Sequence, residues 1–160
     1  MTKRDRKASL ISAYGTRGLL LVSGLTATVI AGMILLAPTA FYGGYGIEVG
    51  ANVSLTNELK APAGLLLLAG LLILVGAFRS EFIITSLTTA TVVYLAYGLS
   101  RILSMAMDGM PNDGIVGAAA IEIAIGGICL LDLMRRQSTT TARRTADRDR
   151  WTVTAREDAA

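Results

Sequence analysis

Two residues could do chemistry in a setting that discourages them. Arg101 and Glu122 each interrupt an otherwise apolar stretch. Arg101 sits in "YLAYGLSRILSMAMDGMP", from Tyr94 to Pro111. In that segment Tyr94, Tyr97, Arg101, Ser104 and Asp108 recur at spacings of three and four, which puts all five on one face of a helix. Glu122 belongs to a second spaced set, Gly114, Ala118, Glu122 and Gly126. Small residues four apart form the face where helices in a membrane approach closely, so Glu122 is expected on a packing face. The short turn "DGMPND" between the segments makes them antiparallel neighbours. At about 1.5 Å per residue, Arg101 lies about 9 Å below a helix end at Met107, and Glu122 about 12 Å below a helix start at Gly114. The two are expected to meet at similar depth, as a charge-assisted pair that offsets the cost of placing either in hydrocarbon. Asn57 and Glu58 stand at the same end, ahead of another apolar run, with Glu58 within reach of Arg101.

Three readings of this cluster remain open. It can be an ion pair that fixes helix register, with Arg101 snorkelling outward. It can be the polar wall of a pocket, floored by Tyr94 and Tyr97, that holds an anionic or hydrogen-bonding ligand. It can also include a protonatable Glu122 in a relay. Other chemistry is excluded by composition. The chain has no histidine and one cysteine, Cys129, which removes the commonest general base, triads and metal motifs that need histidine, and any internal disulfide. No metal site and no nucleic-acid partner are expected. Cys129 reads as a small packing residue, and Asp132 as a local surface partner of Arg135 and Arg136.

The elements that must position these residues are membrane spans. Of the 160 residues 52% are hydrophobic and only 17% charged, below the usual charged share of a soluble domain. Four apolar stretches long enough for about 30 Å of hydrocarbon are expected at about 18–37, 57–78, 82–107 and 114–133. The fold expected is all-α, an integral membrane four-helix bundle over 18–133. It is flanked by a basic tail, 1–17, and a polar, unstructured tail, 134–160. Alternate threading places every basic residue except Lys60 and Arg101 on one side, so both termini are expected in the cytoplasm. Span one, with small residues Gly24, Ala27 and Ala31 as a packing face, is read as a retained span and not a signal peptide. The link "FYGGYGIEVG" is read as a turn-rich loop whose aromatics sit at the membrane interface. Span two begins either near Ser54, with Pro62 inside it, or at Ala61, with Pro62 in its first turn.

"NELKAPAGLLLLAGLLILVGAFR", "VYLAYGLSRILSMAMDGMP" and "AAIEIAIG" resemble the bacterial four-span membrane family called domain of unknown function 4345, over roughly Leu35 to Leu133. The Gly-Leu-Ser-Arg to Asp-Gly-Met-Pro spacing carries most of the resemblance. It implies a four-helix bundle of the bacterial cytoplasmic membrane without an established activity, with polar positions at Asn57, Glu58, Arg101, Asp108 and Glu122. The chain is also broadly similar to DoxX-like four-span proteins, some of which accompany quinone-linked oxidoreductases. The first functional expectation is a non-catalytic protein that binds a small amphipathic ligand, or an accessory subunit of a larger membrane complex or homo-oligomer. The alternative is an enzyme or enzyme subunit acting on a quinone or lipid, with Glu122 or Glu58 as proton donor. Proton-coupled transport ranks below both, because the inner half of spans one and two offers few polar groups.

Overall fold

The structure is a computed structural model that describes the backbone of residues 3–157 and the side chains of residues 14–138. The chain is helical: α1 (Lys3–Leu36), α2 (Pro38–Gly43), α3 (Val53–Phe78), a 3-10 turn (Ser80–Phe82), α4 (Ile83–Asp108) and α5 (Asp113–Glu157). Among the described residues there is no strand. Four helical segments are long and apolar enough to cross a membrane: Tyr14–Leu36, Val53–Phe78, Ser80–Asp108 and Asp113–Ser138. The second segment starts four residues before its expected bound of 57, and the third runs one or two residues past each end of 82–107. α3 begins at Val53, where the Asn52 side chain accepts the Leu55 N–H at 3.1 Å. Pro62 therefore lies inside the helix and has no N–H to offer the turn before it. The 26 residues of α3 make a rod about 39 Å long, enough for a hydrocarbon layer of about 30 Å with some tilt.

The outward faces are what hydrocarbon requires. Leu65, Leu68, Phe78, Val92, Leu103 and Ile121 are each more than half exposed. A water-soluble surface rarely carries so continuous an apolar cover. The buried residues are smaller: Ala27, Ala31, Ala63, Ala69, Ala77, Ala90 and Cys129, with Leu20, Ile73 and Leu87 between them. This is the expected composition of a core held by close van der Waals packing, with water absent from both sides.

Glycines set the helix spacing. Gly24 of α1 lies against Leu74 of α3, and Gly70 of α3 against Thr28 of α1; a methyl group on either would overlap its neighbour at 2.7 or 2.6 Å. Gly76 of α3 faces Ser86 of α4 in the same way, and the Ser86 hydroxyl donates to the Leu72 carbonyl at 2.8 Å. Gly98 of α4 meets Ile123, and Gly126 of α5 meets Leu95. The chain thus packs α1 on α3, α3 on α4 and α4 on α5, with a much narrower contact between α1 and α5.

That narrow seam is closed at both ends. At one end Thr16 of α1 donates to Asp132 of α5 at 2.5 Å, and Arg136 donates to Asp132 at 3.3 Å and to Thr16 at 2.6 Å. Asp132 is therefore more than the local surface partner expected of it, since it ties the first helix to the last. At the other end α2 and the turns after it cross from the top of α1 to the α4–α5 turn. There the Asn112 amide donates to the Tyr45 carbonyl, while its side-chain oxygen accepts the Ile115 N–H at 3.1 Å and caps α5.

The flanking segments differ from expectation in their described parts. Tyr14 to Arg17 belong to α1, with Thr16 buried, and Met134 to Ser138 continue α5. The backbone of 3–13 belongs to α1 and that of 139–157 to α5, so the tail expected to be unstructured is helical as far as Glu157, while the side chains of 1–13 and 139–160 lie outside the described residues.

Candidate functional site

α4 carries its polar seam along a gradient of burial. Tyr94 is 5% exposed, Tyr97 and Arg101 are half-buried, and Ser104 and Asp108 are exposed. The expected common face exists, but its members have different jobs. Tyr94 reaches across the bundle and donates its hydroxyl to the Ser23 carbonyl of α1 at 2.6 Å. This bond joins two helices that otherwise touch little, so Tyr94 is a strut beneath the site. Ser104 donates to Asp108 at 2.9 Å, one turn along the same helix, and neither residue joins the cluster.

The central pair forms as its spacing predicts. Arg101 Nε donates to Glu122 Oε2 at 3.0 Å, with the side chains 35% and 16% exposed. The physical cause is the α4–α5 contact on either side of it. Gly98 admits Ile123, and Gly126 admits Leu95, so the backbones approach closely one turn from each charged residue. Gly126 had been marked by its spacing. Gly98 had not, because a lone glycine among large apolar residues gives no periodic signal.

Asn57 and Glu58 stay out. Both are exposed in the first turns of α3, and among the described residues Arg101 pairs with Glu122 and not with Glu58. The expected reach of Glu58 fails for a geometric reason: α3 is adjacent to α1 and α4, while the guanidinium is drawn to the α5 side of α4.

A residue from outside the four spans joins instead. Tyr42, on α2, lies within electrostatic range of both Tyr97 and Arg101. Burial pushes its phenol above the ordinary value of 10.0, Tyr97 pushes the same way, and Arg101 pulls partly back. Phe41 packs edge-on against Tyr42 and Tyr45, with ring centres 5.2 and 5.5 Å apart. The aromatics expected at the membrane interface thus pack on one another, with Tyr42 facing Tyr97 and Arg101. Among the described residues the Tyr42 and Tyr97 hydroxyls and the two terminal nitrogens of Arg101 have no protein acceptor. Unsatisfied donors converging beside one neutralising carboxylate can receive a molecule that carries acceptor oxygens. No group of three acidic, cysteine or histidine side chains with metal-binding placement occurs among the described residues. A surface groove of about 600 Å³ runs along Leu71, Leu74, Val75, Phe78, Arg79 and Phe82. It lies at the opposite end of α3, on an apolar outward face, and holds none of these groups.

Fold and site together define a multi-pass helical membrane protein with an internal arginine–glutamate pair under an aromatic roof. The chain belongs to the family described as Domain of unknown function (DUF4345), which it matches over residues 15–133. The match takes in the first span as well as the three whose motifs carry the resemblance. No curated protein and no solved structure matches the chain.

Proposed function

We propose that this protein is a non-catalytic ligand-binding protein of the bacterial cytoplasmic membrane, which holds a small amphipathic molecule at the Arg101–Glu122 cluster in the outer half of the bundle. The observation that carries this reading is the convergence of three unsatisfied donor groups, Arg101, Tyr97 and Tyr42, in a half-buried position. A pair serving helix register alone has no need of two further hydroxyls brought from α4 and α2. A ligand oxygen can accept hydrogen bonds from these donors.

The orientation follows from charge. Among the described residues, the end with Thr16, Arg79, Asp132 and Arg136 carries every basic residue except Lys60 and Arg101, and loops rich in arginine and lysine stay in the cytoplasm. The cluster then opens toward the outer side. The test is native mass spectrometry of the full-length protein released from gently solubilised membranes. The expected result is a co-purifying small molecule in the wild type that Arg101→Met with Tyr97→Phe loses. Wild-type protein that is ligand-free under the same conditions overturns the reading.

A further inference from the structure

The ligand site contains its own counter-ion. Glu122 Oε2 lies 3.0 Å from Arg101 Nε. A molecule at the free edge of the guanidinium therefore meets an ion pair, whose carboxylate offsets part of the arginine's attraction for an anion. The rim supplies no excess of cations. Glu48, Glu58, Asp108 and Asp113 are exposed at this end of the bundle, against Lys60 alone. An anion arriving here faces like charge and gains little from the arginine. A neutral oxygen loses nothing by that arrangement and can accept hydrogen bonds from Arg101, Tyr97 and Tyr42. The Phe41 and Tyr45 rings, packed beside Tyr42, offer apolar surface to the body of such a molecule.

Resting on the reading of this cluster as a ligand site, we infer that it selects a neutral amphiphile with a carbonyl or ester oxygen at its head, and that Glu122 is the specificity residue that rejects carboxylates and phosphates. The carboxylate sits at Arg101 Nε and offsets part of the positive charge that an anionic head at the terminal nitrogens would otherwise meet. It also holds the arginine so that the remaining donors face the tyrosines.

The experiment uses full-length protein in nanodiscs of zwitterionic lipid. Tritiated methyl decanoate and tritiated decanoate serve as probes at pH 8, with empty nanodiscs subtracted. The expected result is saturable binding of the ester at least tenfold tighter than that of the carboxylate, and at least tenfold weaker ester binding in Arg101→Met. Glu122→Gln, nearly identical in shape, is expected to raise decanoate affinity at least tenfold. Wild-type protein that prefers decanoate, with binding lost in Arg101→Met, overturns the neutral class and leaves the ligand site standing. Absence of any Arg101-dependent binding of either probe overturns both. The wild-type comparison alone decides the class if Glu122→Gln fails to fold.

Discussion

At the scale of single residues, the pair at 3.0 Å is best understood through what removing each member leaves behind. Arg101→Met strands a carboxylate that is 16% exposed, and an unsatisfied charged group of this kind costs about 1–3 kcal/mol. Adding Glu122→Gln removes the stranded charge and recovers part of that loss, since a buried pair replaced on both sides is often close to neutral. Thermal unfolding in detergent should place the double variant above the single variant, Arg101→Met. Equal loss in both variants would mean that the pair does not couple. Tyr42 supports a second expectation. Its phenol is held neutral above the ordinary 10.0, chiefly by burial. The sign follows from the raised folded-state value: the contribution of the neutral phenol to stability is complete below pH 10 and is lost as the pH rises through the folded-state value. The absorbance difference at 295 nm between wild type and Tyr42→Phe should titrate with a midpoint above 10. A midpoint at or below 10 would place Tyr42 in open water and away from the cluster.

At the scale of elements, glycine positions decide whether the charged residues can meet. A Cβ on Gly126 would stand 2.8 Å from the Leu95 side chain and 3.0 Å from its backbone nitrogen. Backbone cannot rotate away, so Gly126→Val must push α5 from α4. Overpacking of this sort costs about 1–3 kcal/mol, and the ion pair opens with it. Gly117, on the same helix, has nothing within 4 Å of its Cβ position, so Gly117→Val is the matched control. Unfolding in detergent should separate the two substitutions, and indistinguishable melting temperatures would contradict the packing. The contrast explains what was legible in the sequence. Spacings of three and four report which residues share a face, and a short turn reports which helices are neighbours, so Arg101 and Glu122 could be paired without coordinates. The same information does not say how non-sequential helices are arranged. Thr16 and Asp132 are 116 positions apart, and the Arg101 guanidinium pairs with Glu122 of α5 and not with Glu58 of α3. Nor does periodicity extend into a connection. Tyr42 reaches the site because Pro38 starts a short helix after α1, and the Asn112 amide holds the turn that follows through the Tyr45 carbonyl.

At the scale of the whole molecule, the two ends of the bundle differ in kind. One is tied by the closed ring of Thr16, Asp132 and Arg136, which also fixes the start of α1 and the later part of α5 to the same side. The other is covered by α2 and its aromatics, over a cluster with donors to spare. Charge follows the same division, with arginine concentrated at the tied end and exposed carboxylates at the covered one. An insertion that retains basic loops in the cytoplasm turns the aromatic roof outward, and only then is the cluster reachable from outside the cell. Labelling of single cysteines tests this directly, because Cys129 is the one native cysteine and Cys129→Ala clears the background. Glu48→Cys, in the connection after α2, should react with a membrane-impermeant maleimide in intact cells. Glu81→Cys, in the exposed link between α3 and α4, should react only after the cells are opened. Its surface partner Arg79, at 3.6 Å, contributes little to stability, so the substitution leaves the bundle intact. The reverse pattern of labelling would place the cluster on the cytoplasmic face. Any ligand of the proposed site would then come from the cell interior, although the packing that forms the pair would be unchanged.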